Sequence, residues 1–345
     1  MSKRQTDILL SLLDGEKSLP QLLGEAAFSG ITERTLQRDL GDLVESGLVE
    51  RRGEARAVTY RLTPEGAINL SLSGSELERI FADEARSAVQ YDFERLKALR
   101  HTPLFTATEQ ETLEKCNGVF RKKLATASPD IVRRERERIT IELSWKSSQI
   151  EGNTYTLLET ESLIKEGVPA AGRSKEETTM VLNHKKALDF SEKNRGLFSG
   201  PLTVPTIMEL HRILAEGLMS EGIREGAVGI TGSAYRPLGI RYQIEEELLR
   251  FCEIVNAKGS VFEKALLAFT YICYLQPFND GNKRTARILA NAILYAHDSF
   301  PLSLRAVEVN VYKLAILAFY ELGILGNAKE LFIGQARFAA ENYAI

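Results

Sequence analysis

The chain has 345 residues, a net charge of −3, 44% hydrophobic and 26% charged residues. That composition fits folded globular domains and excludes a low-complexity or disordered protein. No run of about 18 apolar residues is present, so no membrane-spanning helix is expected, and Asp7 and Asp14 interrupt the apolar stretch near the start, so no secretory leader is expected. Cys116, Cys252 and Cys273 are odd in number, lack metal-ligand spacing and fit a reducing, cytoplasmic setting.

At the N-terminus, helical patterns run over Gln5–Leu13, Leu19–Phe28 and Glu33–Ser46. Gly47 stops the third, and Leu48–Arg52 and Ala57–Leu62 read as two strands around Gly53-Glu54. Three helices followed by a hairpin resemble a winged helix-turn-helix over residues 1–70. The stretch Ile31–Leu40 (ITERTLQRDL) resembles its recognition helix. The resemblance implies a buried face of Leu36, Leu40, Leu43 and Val44, and an outer face of Arg34, Thr35, Gln37 and Arg38 able to meet a DNA major groove. Arg51, Arg52, Arg56 and Arg61 would charge the wing. Residues 1–62 nevertheless hold nine Lys/Arg against ten Asp/Glu, a net of −1, whereas strong nucleic-acid binders are usually basic. DNA contact and use as a protein-contact or dimerisation module both stay open.

Ser71–Ser75 (SLSGS) reads as a linker into a second domain, residues 71–345, and Glu76–Leu99 begins its helical region. A helix from about Glu135 to Asn153 carries Ile139, Leu143 and Ile150 at helical spacing, with Gly152-Asn153 as its stop. Its last turn reads Ser147-Ser148-Gln149-Ile150-Glu151. Glu177–Leu188 and Ile207–Leu218 read as scaffold helices, with His184 and His211 expected to pack or cap. Gly229–Tyr242 (GITGSAYRPLGIRY) alternates apolar and polar residues around Gly and Pro, which predicts a short β-hairpin.

The most informative stretch is Gln276–Arg287 (QPFNDGNKRTAR). Before it, Val261–Leu275 is apolar on nearly every side, as a helix at a domain centre would be. After it, Thr285–Ala296 resumes a helical pattern with Ile288, Leu289, Ile293 and Leu294 on one face. Pro277 ends the first helix and Asp280-Gly281 supplies a tight turn. The second helix then begins with free N–H groups that favour an anion. Lys283, Arg284 and Arg287 add positive charge, and Asp280 is placed to hold a divalent cation on a phosphate. These residues describe a site for a polyphosphate with Mg²⁺. The Gly-x-x-x-x-Gly-Lys-Ser/Thr phosphate loop is not present.

This stretch resembles the core motif of the Fic (Fido) family, His-Pro-Phe-x-Asp/Glu-Gly-Asn-Gly/Lys-Arg-x-x-Arg, at Pro277, Phe278, Asp280, Gly281, Asn282, Arg284 and Arg287. The resemblance covers roughly residues 80–345 and implies an all-helical Fic core. It implies that Phe278 anchors the loop and that Asp280 coordinates Mg²⁺. Asn282 and the loop amides of Gly281 and Lys283 would hold the phosphates of ATP, with Arg284 and Arg287 on the β- and γ-phosphates. Members mostly transfer AMP to a Ser, Thr or Tyr hydroxyl of a protein. Gln276 stands where active members carry the His that takes the proton from that hydroxyl, and Gln has no titratable group for the task. Lys283 stands where many members have Gly; the kinase-like members with Lys there lack the second Arg, so Arg287 favours AMP transfer.

The upstream Ser147, Glu151 and Gly152 match the family's inhibitory signature Ser/Thr-x-x-x-Glu-Gly/Asn. A Glu151–Arg287 pair would occupy the Arg meant for the γ-phosphate. The expected hairpin matches the flap that docks a target segment, through Ile230, Tyr235 or Ile240. The expectation is thus a mainly α protein, an all-helical Fic core with a short β-hairpin flap behind a winged helix. Its expected function is a self-inhibited protein adenylyltransferase that Gln276 impairs. An inactive nucleotide-binding sensor and a DNA-binding regulator are the alternatives, and a homo-oligomer is left open.

Overall fold

The structure, a computed structural model, describes residues 2–82 and 86–343, and the Arg56 side chain lies outside what it describes. The chain forms two compact units. The first comprises Met1–Ala85, Asp92–Leu104 and Leu317–Asn327; the second comprises Arg86–Tyr91, Phe105–Ile316 and Ala328–Ile345.

The first unit opens with α1 (Lys3–Ser11), β1 (Lys17–Ser18), α2 (Leu19–Leu23), α3 (Glu33–Glu45), β2 (Val49–Arg52) and β3 (Thr59–Leu62). Ser2 and Gln5 form a capping box at α1, and the Thr32 hydroxyl caps α3. α2 is shorter than its periodicity predicts because Gly24 ends it, and Ala26–Phe28 continues only as a 3₁₀ turn. β3 lies between β1 and β2, antiparallel to both. The short β1 carries no alternation from which it could be read. α3 buries Leu36, Leu40 and Leu43, and also Asp39, which is bonded to Arg4 of α1.

α4 (Pro64–Ile68), α5 (Gly74–Ala82) and α6 (Phe93–His101) complete this unit with the segment Leu317–Asn327. Ser71–Ser75 is not a free linker. Leu72 is buried and bracketed by the Asn327 amide, which accepts from its N–H at 3.1 Å and donates to its carbonyl at 2.7 Å. The first unit therefore takes in more chain than residues 1–70.

In the second unit β4 (Val89–Gln90) is followed by α7 (Ala107–Thr126), α8 (Pro129–Ile150), α9 (Leu157–Glu166), α10 (Lys175–Lys193), α11 (Gly196–Ser199) and α12 (Val204–Ala215). β5 (Tyr235–Arg236), α13 (Arg241–Ala257), α14 (Val261–Leu275), α15 (Asn282–Ala296), α16 (Val309–Leu317) and α17 (Gly326–Asn342) complete the chain. α8 starts at Pro129 rather than near Glu135, because Ser128 caps it and Pro129 occupies its first turn. α15 is the hub, packed by α8, α10, α11, α12 and α14. It is therefore buried on every side rather than on one face. Among the described residues no helix is long and apolar enough to cross a membrane.

The predicted hairpin at Gly229–Tyr242 does not form. Tyr235–Arg236 pairs in parallel with Val89–Gln90, a partner far away in sequence that local alternation cannot reveal. The Tyr235 ring is buried, stacks on Tyr274 and donates its hydroxyl to the Tyr274 carbonyl at 2.9 Å. It faces the core and not a target. Ile230 is half-buried, and Ile240 is exposed.

Candidate anion-binding site

α14 is buried from Ala265 to Leu275, so its C-terminus is delivered to the middle of the unit. There the chain turns sharply. Gln276 adopts the left-handed conformation (φ 51°, ψ 57°), and Gly281 does so again at φ 77° before α15 begins at Asn282. A non-glycine residue in that region costs about 1–2 kcal/mol, so contacts must hold Gln276 there. They do: its side-chain amide donates to the Cys273 carbonyl at 2.5 Å and accepts from Asn282 Nδ2 at 3.0 Å.

Asn282 also accepts from the Phe278 N–H (2.9 Å) and donates to the Phe278 carbonyl (2.8 Å). Its side chain is thus bonded inside the loop. Phe278 is fully buried and stacks on His211 at 3.6 Å, ring on ring, so the loop is anchored in the core. Burial pushes the His211 imidazole down to about 4, leaving it neutral, a packing partner rather than an acid or base. At Gly281 a Cβ would meet Met219 Sδ at 3.1 Å and His211 at 3.3 Å, which only a bare α-carbon avoids.

The cations divide the site. Arg284 is buried, pairs through Nη2 with Asp280 Oδ2 at 3.0 Å, and leaves Nε with no partner among the described residues. Asp280 is well exposed, and its other oxygen accepts from the Gly281 N–H at 2.6 Å. No cluster of three metal-ligating side chains exists among the described residues. Asp280 is an exposed carboxylate of the hard-oxygen type that a divalent cation bound to a phosphate would need.

Arg287 is fully buried and every nitrogen is engaged. Nε donates to Ser147 Oγ (2.8 Å) and Nη1 to the Tyr312 hydroxyl (3.1 Å). Nη2 donates to the Ser147 carbonyl (3.0 Å) and to Glu151 Oε1 (2.7 Å). Lys283 Nζ stands 3.9 Å from the other Glu151 oxygen. Burial pushes the Glu151 carboxyl up, but Arg287, Lys283 and Arg284 together overcome it and hold it at about 2.

Glu151 reaches this position because α8 ends at Ile150 and Gly152 turns the chain at φ 94°. Behind the pair runs a second layer. Ser147 Oγ lies 2.8 Å from His184 Nε2, and His184 Nδ1 lies 2.8 Å from the Met180 carbonyl. Burial pushes His184 down to about 3, so it is neutral, with Nδ1–H donating to Met180 and Nε2 accepting from Ser147. That leaves the Ser147 oxygen to accept from Arg287.

The structure therefore brings together Ser147, Glu151, Gln276, Phe278, Asp280, Gly281, Asn282, Lys283, Arg284 and Arg287 within the second unit. Tyr312 and Arg224 carry no signal in the sequence, and His184 reads there as a scaffold residue. Tyr312 sits in an apolar helix with no motif around it, and Arg224 in a loop without periodicity. His184 at mid-helix was the one visible signal. Arg34, Gln37 and Arg38 are exposed on α3 of the first unit and Thr35 is half-buried.

The Fic/DOC family model matches residues 201–294. A protein adenylyltransferase fic-1 from Caenorhabditis elegans is 27% identical over 261 residues, 72% of this chain and 51% of that protein. A protein adenylyltransferase Fic from Nematostella vectensis is 27% identical over 219 residues, 62% of this chain and 51% of that protein. The chain thus spans about half the length of these curated relatives. Among solved structures, Fic-1 (residues 134–508) from C. elegans superposes with a TM-score of 0.56 at 20% identity, covering 100% of this chain and 99% of that one. A Fic domain containing signaling protein from Bacteroides thetaiotaomicron gives 0.52 at 21% identity, covering 68% and 99%.

Proposed function

We propose that this chain, whose residues 201–294 match the Fic/DOC family model, is a Fic-domain protein and a self-inhibited protein adenylyltransferase whose transfer step Gln276 impairs. The observation that carries the reading is the 2.7 Å Glu151–Arg287 pair. A buried arginine on the helix that begins at the anion loop is filled by a carboxylate from another helix. That is an anion site occupied by the protein's own anion. ATP is the donor, with its phosphates on the N–H groups that open α15 and on Arg284, and Arg287 is withheld from the γ-phosphate while Glu151 holds it. Mg²⁺ on Asp280 would neutralise charge on the phosphates. The acceptor is a Ser, Thr or Tyr hydroxyl of a protein. Its oxygen forms a bond to the α-phosphorus, the bond to the β-phosphate oxygen breaks in line, and pyrophosphate leaves.

The hydroxyl proton needs an acceptor at position 276. Gln276 cannot take it, and its amide is already bonded to Cys273 and Asn282. Loss of a general base costs about 10²–10⁴-fold. That same bonding supports a second reading, a nucleotide-binding sensor without transfer activity. α3 with its exposed Arg34, Gln37 and Arg38, together with the three-stranded sheet, supports a winged helix that docks DNA.

The test is label transfer from ATP labelled on its α-phosphate, in cell lysate. Glu151→Gly protein is run beside Glu151→Gly with Gln276→His. Label only with the histidine supports an adenylyltransferase disabled at its base. ATP binding without label in either protein selects the sensor. Absence of both sinks the nucleotide reading.

A further inference from the structure

The geometry points to Arg224 as the residue that holds the anion loop in its binding shape, a positioning role resting on the reading of that loop as a nucleotide site. Arg224 is 1% exposed, one of the largest fully buried side chains in the protein. Among the described residues no carboxylate lies within ion-pairing distance of it, in contrast to Arg287, which faces Glu151. Its Nε donates to the Gln276 carbonyl at 2.6 Å and its Nη1 to the Gly226 carbonyl, while Nη2 has no partner among the described residues. Its own N–H donates to the Pro277 carbonyl at 3.1 Å, and Ile223 bridges antiparallel to Phe278.

Residues 223–224 therefore lie along the entry to the loop as a single rung of sheet. From there the guanidinium reaches the carbonyl of the residue in the left-handed conformation. An unpaired buried cation is costly, and an apolar side chain of the same volume would fill the space without that cost. Burial accordingly lowers the pKa of Arg224. What arginine adds is a planar fork that reaches two carbonyls at once. One carbonyl belongs to the loop and the other to the segment leading to β5, so the fork fastens the two together. Position 276, where the motif places its base, is set through this contact.

The experiment uses the full chain carrying Glu151→Gly. Mg-ATP affinity is measured by calorimetry, and exchange of the Phe278–Lys283 amides is measured without nucleotide. Arg224→Met and Arg224→Lys are compared, each with and without Gln276→Gly. With Gln276 present, Arg224→Met is expected to weaken ATP binding about tenfold and to speed loop exchange, and Arg224→Lys to recover part of each. With Gln276→Gly, the same Arg224→Met change is expected to cost less than about threefold, because glycine takes positive φ without strain.

Unchanged affinity and exchange in Arg224→Met, or an equal loss with and without Gln276→Gly, would overturn the assignment. If Arg224→Met does not fold, the Arg224→Lys pair decides by the same comparison. If ATP fails to bind with Arg224 intact, the nucleotide reading falls, and loop exchange alone decides whether Arg224 holds the loop.

Discussion

At the scale of single residues, the charge on Glu151 governs the site. Its folded carboxyl sits near 2, below an ordinary glutamate near 4.5. A depressed carboxyl contributes stability that is present above its unfolded pKa and is lost as pH falls from about 4.5 through about 2. Glu151→Gln is therefore expected to destabilise by on the order of 3 kcal/mol at pH 7. In urea titrations the gap to the parent should stay constant from pH 8 to pH 5 and shrink at pH 3.5; a gap that closes already at pH 6 would contradict this. It also follows that ordinary changes of pH do not open the pair. Gly281 is the other decisive residue. Gly281→Ala meets both a positive φ and the Met219–His211 wall. It is expected to lose at least about 1 kcal/mol of stability and to lose Mg-ATP affinity with it, read by thermal melting and calorimetry.

At the scale of elements, the site depends on how α8 is held. Its end carries Ser147 and Glu151, and its middle is fastened by a buried carboxylate. Glu142 accepts from the Tyr343 hydroxyl at 2.5 Å, from Arg138 Nε at 3.0 Å and from Arg305. Arg138 also donates to the Asn342 carbonyl at 3.2 Å. The C-terminal end of α17 is thus fastened to the helix whose end carries Glu151. Tyr343→Phe takes one donor from a buried acceptor and is expected to cost about 1–3 kcal/mol, measured as a lower midpoint in urea. An unchanged midpoint would show that Arg138 and Arg305 satisfy Glu142 without it. The hub helix α15 is held differently, by apolar burial from five neighbouring helices, which is why it can carry two buried arginines without losing its place.

At the scale of the whole molecule, each unit has its own elements and its own chemistry. The second carries the loop between α14 and α15 and the Glu151–Arg287 pair. The first carries α3 and the three-stranded sheet, with Arg34 and Arg38 exposed. If α3 docks DNA through phosphates, Arg34→Ala with Arg38→Ala is expected to weaken retention on duplex DNA and to lower the slope of log affinity against log salt by about 2. No retention by the parent at low salt would instead favour the module's use as a protein contact. The near-neutral charge of residues 1–62 makes that salt series the informative measurement.

The sequence by itself determined the helical character of the second unit, because period-3.6 apolar patterning and capping residues act locally. It also determined the turn between α14 and α15, since a proline stop and a glycine turn carry their meaning in order along the chain. The pairing of Glu151 with Arg287 was legible only through the two motifs read together, for nothing local joins residues 136 positions apart. Tertiary structure alone decided the parallel pairing of Tyr235–Arg236 with Val89–Gln90, the burial of Tyr235, and the commitment of Asn282 to its own loop. It alone decided the Ser147–His184 relay and the places of Tyr312 and Arg224. Those depend on which distant groups satisfy a buried hydrogen bond or charge, and neither periodicity nor turn chemistry encodes that.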